Sequence, residues 1–414
     1  MRRVITAVAV TTTAALGLAA CGSDSGGDGG GDGGSTTLEL LVPVYGDKTK
    51  PYWEELVTAF EAENENITVK LETQSWDDIY TVVDTKIANN KAPDILELDA
   101  AAPAYASEDL LYPAEEIVSP ETLADIEKTF VDSALIDGKA YGLPTVASTR
   151  ALFYNKDLFT QAGITAPPKT WAELLDAATK ISALGGGVYG YGMPLGSEEA
   201  QAETSIFAYG AGASWESDGK MTIDTPEAKE ALTFMKSMID AGVTQPDPGA
   251  TDRTPLLDVF IQGKIGMIQG LPPIVGQIGE KNPNLNWEIA PSPTKDGEPS
   301  TLGVADYFVG FDKGEDKQEA ISAFLDFFYQ QENYVKFNDN EGFIPATKSG
   351  AEAAAAKPEL KIFLESLPDA KFYPATNPAW SATSGAFKTL VGQIQTKPVD
   401  QVLSEIQAKA DETG

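Results

Sequence analysis

The residue types that could carry chemistry in this sequence are restricted by two counts. The 414 residues include no histidine and one cysteine, Cys21. Ser-His-Asp and Cys-His arrangements are therefore excluded, and so is a zinc site built on histidine. Acid–base chemistry would fall to carboxylates, lysines or tyrosines. This composition removes most hydrolytic and metal-dependent routes but does not exclude an enzyme. Because no catalytic group is evident, we predict a protein that is not an enzyme and has no cofactor and no metal.

Cys21 ends a segment that has the parts of a secretory signal. Arg2 and Arg3 give it a positive start, and an apolar run covers residues 4–20. The run is too short to cross a bilayer, which takes roughly 20 apolar residues. Its Leu-Ala-Ala-Cys end resembles the bacterial lipobox. We predict a lipoprotein signal peptide over 1–20 and lipidation (palmitate) of Cys21. An ordinary signal peptide that happens to precede a cysteine is the alternative.

Residues 21–37 follow the signal as Cys21 and a run of Gly, Ser, Asp and Thr. A run without apolar side chains cannot bury enough surface to offset the entropy of ordering. We therefore predict a flexible tether that holds a folded body at the extracytoplasmic face of the cell membrane. Lipidation would also remove the only thiol, and the body would have no disulfide.

The charge of the chain is strongly negative. It has 30 basic and 62 acidic residues, a net charge of −32 at pH 7. That excess argues against binding of nucleic acid and against electrostatic adhesion to anionic lipid. The residues from 38 onward are enough for two domains of ordinary size.

The first part of this body alternates predicted strands and helices. Apolar runs and period-two patterns predict strands over 38–42, 67–73 and 93–98, and helical spacing predicts helices over 51–63 and 77–89. This order is typical of an α/β domain with a largely parallel sheet.

Later segments continue the α/β pattern. The helix predicted at 170–184 has Thr170 as its N-cap. The remaining predictions are a strand at 151–154 and helices at 155–161, 226–241, 317–334, 359–367, 381–395 and 399–410.

Several segments together resemble the bacterial extracellular solute-binding proteins that include the maltose-binding and multiple-sugar-binding proteins. The most specific block pairs LFYNKDLF with the downstream PPKTWAEL. The segments, in the order of that family, lie at 92–96, 141–144, 152–159, 162–164, 167–174, 260–270 and 342–346. The resemblance covers residues 38–414 and identifies the chain as a member of this family.

The resemblance implies a two-lobed α/β periplasmic-binding-protein fold with a ligand cleft and a hinge that the chain crosses more than once. Lobe 1 would comprise 38–147 plus 306–346, and lobe 2 would comprise 148–305 plus 347–414. The implied function is the substrate-binding subunit of an ABC importer, a monomer that captures a sugar and delivers it to permease subunits in the membrane.

Ligand contacts are expected where strands end and in the loops that follow. A sugar needs aromatic faces for stacking and polar side chains for its hydroxyls. Each position also has a structural alternative, such as a turn, a helix cap, an ion pair or core packing. The candidates are Tyr45, Asp47, Trp76, Asp99, Arg150, Tyr209, Trp215, Asp306, Tyr307 and Trp380.

One departure from the family bears on the ligand. Many sugar-binding members have Trp two residues beyond the glycine that corresponds to Gly270, where this chain has Pro272. The usual stacking platform is therefore missing. The open alternatives are the same fold binding a polyol, a polyamine, a metal chelate or a phosphorylated polyol, and a secreted glycoside hydrolase, which would need two cleft carboxylates.

The lipid anchor gives a direct prediction. Changing Cys21→Ser should release the protein from membranes with its ligand affinity intact, because the tether contributes no part of the cleft. Fractionation of cells into membrane and soluble material, followed by a binding assay, checks both outcomes. Loss of ligand binding in the released protein would contradict a tether that serves only to anchor.

Overall fold

The computed structural model describes residues 35–76, 78–99, 105–106, 109–136 and 138–412. Cys21, the signal peptide and nearly all of the tether lie outside these residues. The strands, in chain order, are Thr36–Pro43 (β1), Ile67–Gln74 (β2), Ile95–Leu98 (β3), Leu135–Ile136 (β4), Lys139–Ala140 (β5), Leu143–Thr149 (β6), Ala151–Asn155 (β7), Tyr189–Gly192 (β8), Glu216–Ser217 (β9), Lys220–Met221 (β10), Ile265–Gly270 (β11), Trp287–Pro291 (β12), Thr301–Gly310 (β13) and Ala370–Lys371 (β14).

Helices pack around these strands. The α-helices are Thr49–Glu63 (α1), Ile79–Ala88 (α2), Pro120–Asp125 (α3), Lys128–Ser133 (α4), Lys156–Gln161 (α5), Trp171–Ser182 (α6), Ala200–Gly210 (α7), Pro226–Asp240 (α8), Arg253–Ile261 (α9), Pro273–Lys281 (α10), Glu315–Tyr329 (α11), Gln331–Glu341 (α12), Lys348–Ala354 (α13), Lys361–Glu365 (α14), Trp380–Leu390 (α15) and Val399–Asp411 (α16). Short 3-10 turns cover Ala114–Glu116, Pro248–Ala250, Pro358–Leu360, Leu367–Asp369 and Val391–Gln395.

Two larger sheets organise the chain. The first has the order β14-β13-β3-β1-β2, with β6 also paired to β13. β1 runs parallel to β2 and β3, whereas β13 runs antiparallel to β3 and β6. The second has the order β12-β7-β11-β8. The parallel start of the first sheet confirms the strand–helix alternation predicted from the sequence.

Separate hydrophobic clusters pack on the two sheets, and a third contains residues of both, among them Ala147 of the first sheet and Phe153 of the second. Trp53 of α1 is fully buried against the first sheet, and its ring stacks on Phe328 with centroids 5.4 Å apart. The second sheet and its helices enclose a separate cluster that includes Leu174, Met235 and Phe387. The separate clusters on the two sheets fit the predicted two-lobed α/β fold, while the bounds of the lobes stay a prediction.

The chain passes between the sheets at neighbouring points. Arg150 separates β6 of the first sheet from β7 of the second, and its backbone N–H donates to the Leu302 carbonyl at 3.1 Å. Leu302 lies near the start of β13, where the chain returns to the first sheet. Ala147 and Ile344 exchange backbone hydrogen bonds of 3.1 Å in each direction beside them. Because these segments meet, the Arg150 side chain lies at the junction of the two sheets.

Three helix predictions are wrong in their extent. The helix expected at 381–395 is α-helical only at Trp380–Leu390 and continues as a 3-10 turn over Val391–Gln395. The helix expected at 317–334 is two helices, since the backbone of Gln330 leaves the helical region at φ −53° and ψ 131°. The turn there brings Tyr334 and Phe337 of α12 back onto Phe328. The helix expected at 359–367 is α-helical only at Lys361–Glu365. Pro368, without a backbone N–H, cannot extend it.

The first turn of α6 provides a stability prediction. The Thr170 hydroxyl accepts from the Glu173 N–H at 3.2 Å, and the Glu173 carboxylate accepts from the Thr170 N–H at 3.1 Å. Thr170→Ala should lower the free energy of unfolding by about 1 kcal/mol, measured by urea denaturation. Thr179→Ala is the matched control, because Thr179 is exposed within the same helix and should cost nothing. Equal costs for both variants would argue against a capping role.

Candidate functional site

A tyrosine and two carboxyl groups meet at the end of the first sheet. Tyr45 follows β1, Glu97 lies on β3 and Asp306 lies on the adjacent β13. The Tyr45 hydroxyl oxygen lies 2.5 Å from Asp306 Oδ2 and 3.1 Å from Glu97 Oε1. A phenol has one proton to donate, so two full hydrogen bonds require a proton on one of the carboxyl groups. The Tyr45 hydroxyl can donate to one carboxylate and accept from the other carboxyl group when that group carries a proton.

Burial explains why this proton is retained. Glu97 is 0% exposed and Asp306 is 6% exposed. Burial raises the pKa of Glu97 to about 8, and nearby Asp306 adds to the shift. Burial also raises the pKa of Asp306 to about 7, and the Asp99 carboxylate raises it further. Desolvation disfavours the charged form of each carboxyl group.

More polar and aromatic groups surround this triad on the first-sheet side. The hydroxyl of Tyr80, on α2, donates a hydrogen bond to the Asp99 carboxylate. Trp76 is half-buried and meets Tyr45 edge-on, with ring centroids 5.7 Å apart. Asp47 is exposed in the bend beyond Tyr45. The structure thus brings together four predicted residues, namely Tyr45, Trp76, Asp99 and Asp306.

A buried ion network lies at the junction of the sheets. Arg150 is 2% exposed and donates to Ser148 Oγ at 2.9 Å and to Glu199 Oε1 at 3.1 Å. Glu199 also pairs with Arg253, which reaches Glu203 Oε2 at 3.4 Å. Burial alone would raise the pKa of Glu199, but the two arginines outweigh it and lower that pKa. The structural ion pair considered for Arg150 is therefore present.

Four other predicted residues are held mainly by packing. Tyr209 is 3% exposed and donates to the Phe372 carbonyl at 3.1 Å, and Trp215 is 1% exposed and donates to Ser205 Oγ at 2.8 Å. For these two, the structure favours core packing over ligand contact. The Tyr307 hydroxyl lies 2.5 Å from Ser133 Oγ. Trp380 is 4% exposed and stacks on Tyr373, with centroids 4.7 Å apart.

Sequence reasoning missed four members of the site: Glu97, Tyr80, Glu199 and Tyr373. Glu97 carried a usable signal, since it is a charged residue in an otherwise apolar strand two positions before Asp99. Glu199 and Tyr373 carried none, because they lie far from Arg150 in sequence. Only the folded chain brings them beside it.

The described residues also set limits on the site. Within them, no group of three or more Asp, Glu, His or Cys side chains is arranged to hold a metal ion. None of the described helices is long and apolar enough to span a membrane.

The chain is similar in sequence to known proteins. The family described as bacterial extracellular solute-binding protein matches residues 46–335. A Brucella abortus chain, named only as a binding protein, is 36% identical over 387 residues that cover 90% of this chain and 92% of that one.

Solved structures share the fold. An ABC transporter solute-binding protein from Thermotoga lettingae, bound with α-D-tagatose, has a TM-score of 0.77, 24% identity, and coverage of 91% of this chain and 99% of that one. The cyclic α-maltosyl-1,6-maltose binding protein of Arthrobacter globiformis has a TM-score of 0.78, 22% identity, and coverage of 92% and 99%. The two-lobed α/β fold predicted from the sequence is confirmed.

The carboxyl pair predicts a specific pH dependence of stability. A carboxyl group whose pKa is raised by folding binds its proton more tightly in the folded state, so its contribution to stability falls as pH rises towards the folded value. Asp306→Asn removes this loss. The free energy of unfolding of the variant, relative to the native chain, should rise by on the order of 2 kcal/mol from pH 5 to pH 8.

Urea denaturation at each pH measures this difference. A difference between variant and native chain that stays constant across the range would contradict a retained proton at Asp306.

Proposed function

Because the chain belongs to the bacterial extracellular solute-binding proteins, we propose that it is the substrate-binding subunit of an ABC importer and captures a sugar or oligosaccharide. The observation that carries the proposal is the meeting of carboxyl groups, an arginine and aromatic rings at the junction of two sheets. The first sheet supplies Tyr45, Asp99 and Asp306, and the crossing point supplies Arg150. Closure of two lobes about this junction would enclose a ligand.

The side chains present suit a polyhydroxy ligand. Sugar hydroxyls both donate and accept, and Asp99, Asp306 and Tyr45 offer acceptors and donors at close quarters. Trp76 and Tyr80 add partly exposed aromatic surface on the same side. Apolar ring surface together with a few oriented polar groups is the usual composition of a small-molecule site. The tagatose and maltosyl-maltose ligands of the two structural neighbours support this class.

Anchoring and delivery complete the proposal. The lipobox-like end at Cys21 supports attachment by lipid to the extracytoplasmic face of the membrane, and the Gly-rich run to residue 37 supports a tether. A body held near the membrane stays close to permease subunits, which raises its effective concentration there. We expect a monomer that presents surfaces of both lobes to the permease.

The contacts of Glu97 and Asp306 argue against a glycoside hydrolase. Hydrolysis needs one carboxyl group to reach the leaving oxygen and another to reach water or the sugar. Glu97 is fully buried, and Glu97 and Asp306 are both hydrogen-bonded to the Tyr45 hydroxyl. These contacts support a positioning role for the pair. Polyamines are the alternative ligand class, because the carboxyl groups of the site could bind cationic amines.

A thermal-shift screen of the full chain tests the ligand class. The panel is tagatose, maltose, maltotriose, mannitol, putrescine, spermidine, glucose 6-phosphate and sn-glycerol 3-phosphate. A ligand at 100 times its Kd stabilises the folded state by about 2.7 kcal/mol. We expect a sugar to raise the Tm. A shift with polyamines and with no carbohydrate would replace the proposed ligand.

A variant pair locates the binding. Asp99→Asn should raise the Kd of the sugar found in the screen about tenfold, because a charged acceptor for the sugar hydroxyls is lost. Asp240→Asn is the control, since Asp240 is exposed at the end of α8 and pairs with Lys236. Titration calorimetry measures both Kd values. Equal affinity in the two variants would show that the ligand does not contact Asp99.

A further inference from the structure

Several buried polar atoms near the junction of the sheets have no hydrogen-bond partner among the described residues. They include the Tyr373 hydroxyl and Nε of Arg150. Arg150 is 2% exposed, and its other two guanidinium nitrogens already bond Ser148 and Glu199. Buried polar groups in native proteins are nearly always satisfied, and an exception calls for a water or a ligand. These atoms therefore mark where an additional molecule would complete the structure.

The position of Tyr373 is fixed by its neighbour. Tyr373 lies between β14 and α15, and its ring stacks on Trp380 with centroids 4.7 Å apart and an interplanar angle of 26°. Trp380 begins α15 and is 4% exposed, so it cannot itself offer much surface. Tyr373 is more exposed than the tryptophan behind it. The stacked pair therefore holds a tyrosine in place without using its hydroxyl.

Charges from both sides of the junction act on that hydroxyl. Burial raises the pKa of Tyr373, Arg150 lowers it in part, and Glu199 and Asp99 raise it. Asp99 follows β3 of the first sheet, whereas Glu199 precedes α7 beside the second. The Tyr373 hydroxyl consequently lies within electrostatic range of both, and it keeps its proton at ordinary pH. It can donate one hydrogen bond and accept others.

The balance of charge restricts what can bind there. Both arginines of the network are paired, Arg150 with Glu199 and Arg253 with Glu199 and Glu203. Asp99 adds a carboxylate on the first-sheet side, while Glu97 and Asp306 retain protons near neutral pH because burial raises their pKa values to about 8 and about 7. An anionic group entering this region would find both guanidinium groups already paired and the Asp99 carboxylate nearby, in a region of low dielectric where repulsion is strong.

We propose that the Tyr373 hydroxyl and the Nε–H of Arg150 bind oxygen atoms of the ligand, and that this ligand is a carbohydrate without a phosphate or carboxylate group. The inference rests on the proposed function, because it assigns further contacts to the same cleft. It also separates this chain from binders of phosphorylated polyols.

Tyr373→Phe tests the hydroxyl directly. Titration calorimetry on the full chain, with whichever of tagatose, maltose or maltotriose gives the largest thermal shift, should show a Kd raised about fivefold to tenfold. Phenylalanine keeps the ring and its stacking on Trp380, so urea denaturation should show stability equal to or above that of the native chain. Tyr112→Phe is the control, because the Tyr112 hydroxyl bonds the remote Gly314 carbonyl and its loss should leave Kd unchanged.

The outcomes separate the two proposals. If none of the sugars binds, the proposed function fails and this inference falls with it. If a sugar binds and Tyr373→Phe has the native Kd, the hydroxyl serves structure or water alone and only this inference fails. Binding of glucose 6-phosphate or sn-glycerol 3-phosphate, with Tm shifts as large as those of the sugars, would overturn the exclusion of anionic ligands.

Discussion

The buried guanidinium of Arg150 is the interaction on which the junction of the two sheets depends. A charge removed from water is costly unless it is paired and hydrogen-bonded. Ser148 and Glu199 supply those bonds, while the backbone of Arg150 is tied to Leu302 and its carbonyl accepts from Thr301 and Ser292. The same residue thus joins the chain segments that cross between the sheets and brings a cation to the site.

The carboxyl groups beyond Arg150 follow a different rule. Glu97 and Asp306 are buried without a basic partner in direct contact, and both are hydrogen-bonded to the Tyr45 hydroxyl. Such an arrangement costs stability as pH rises, and apolar side chains would fill the same space at lower cost. Its presence at strand ends that face the junction is understandable if the groups orient donors and acceptors for a ligand.

Local patterns predicted much of the fold. The strand at 38–42, the helix that buries Trp53 and the Thr170 cap each depend on neighbours within a few residues, and all three agree with the structure. The helix at 317–334 failed because helical spacing continued through Gln330. The backbone turns there so that Phe328 and Tyr334 enter one core, and that requirement arises from α1, which is distant in sequence. Tyr209 and Trp215 were ambiguous for the same reason, since an aromatic side chain suits a core as well as a cleft.

The sequence by itself determined the absence of histidine chemistry, the single cysteine with its lipobox-like context, and a family-specific order of segments. These are properties of composition and of short-range order. The tertiary structure decided which polar residues meet: Glu97 with Asp306 through Tyr45, Glu199 with Arg150, and Tyr373 with the charges of both. Such pairings depend on the register of β13 against β3 and on burial, which sets the pKa of each group. No local pattern records either, so these contacts became visible only when the chain was folded.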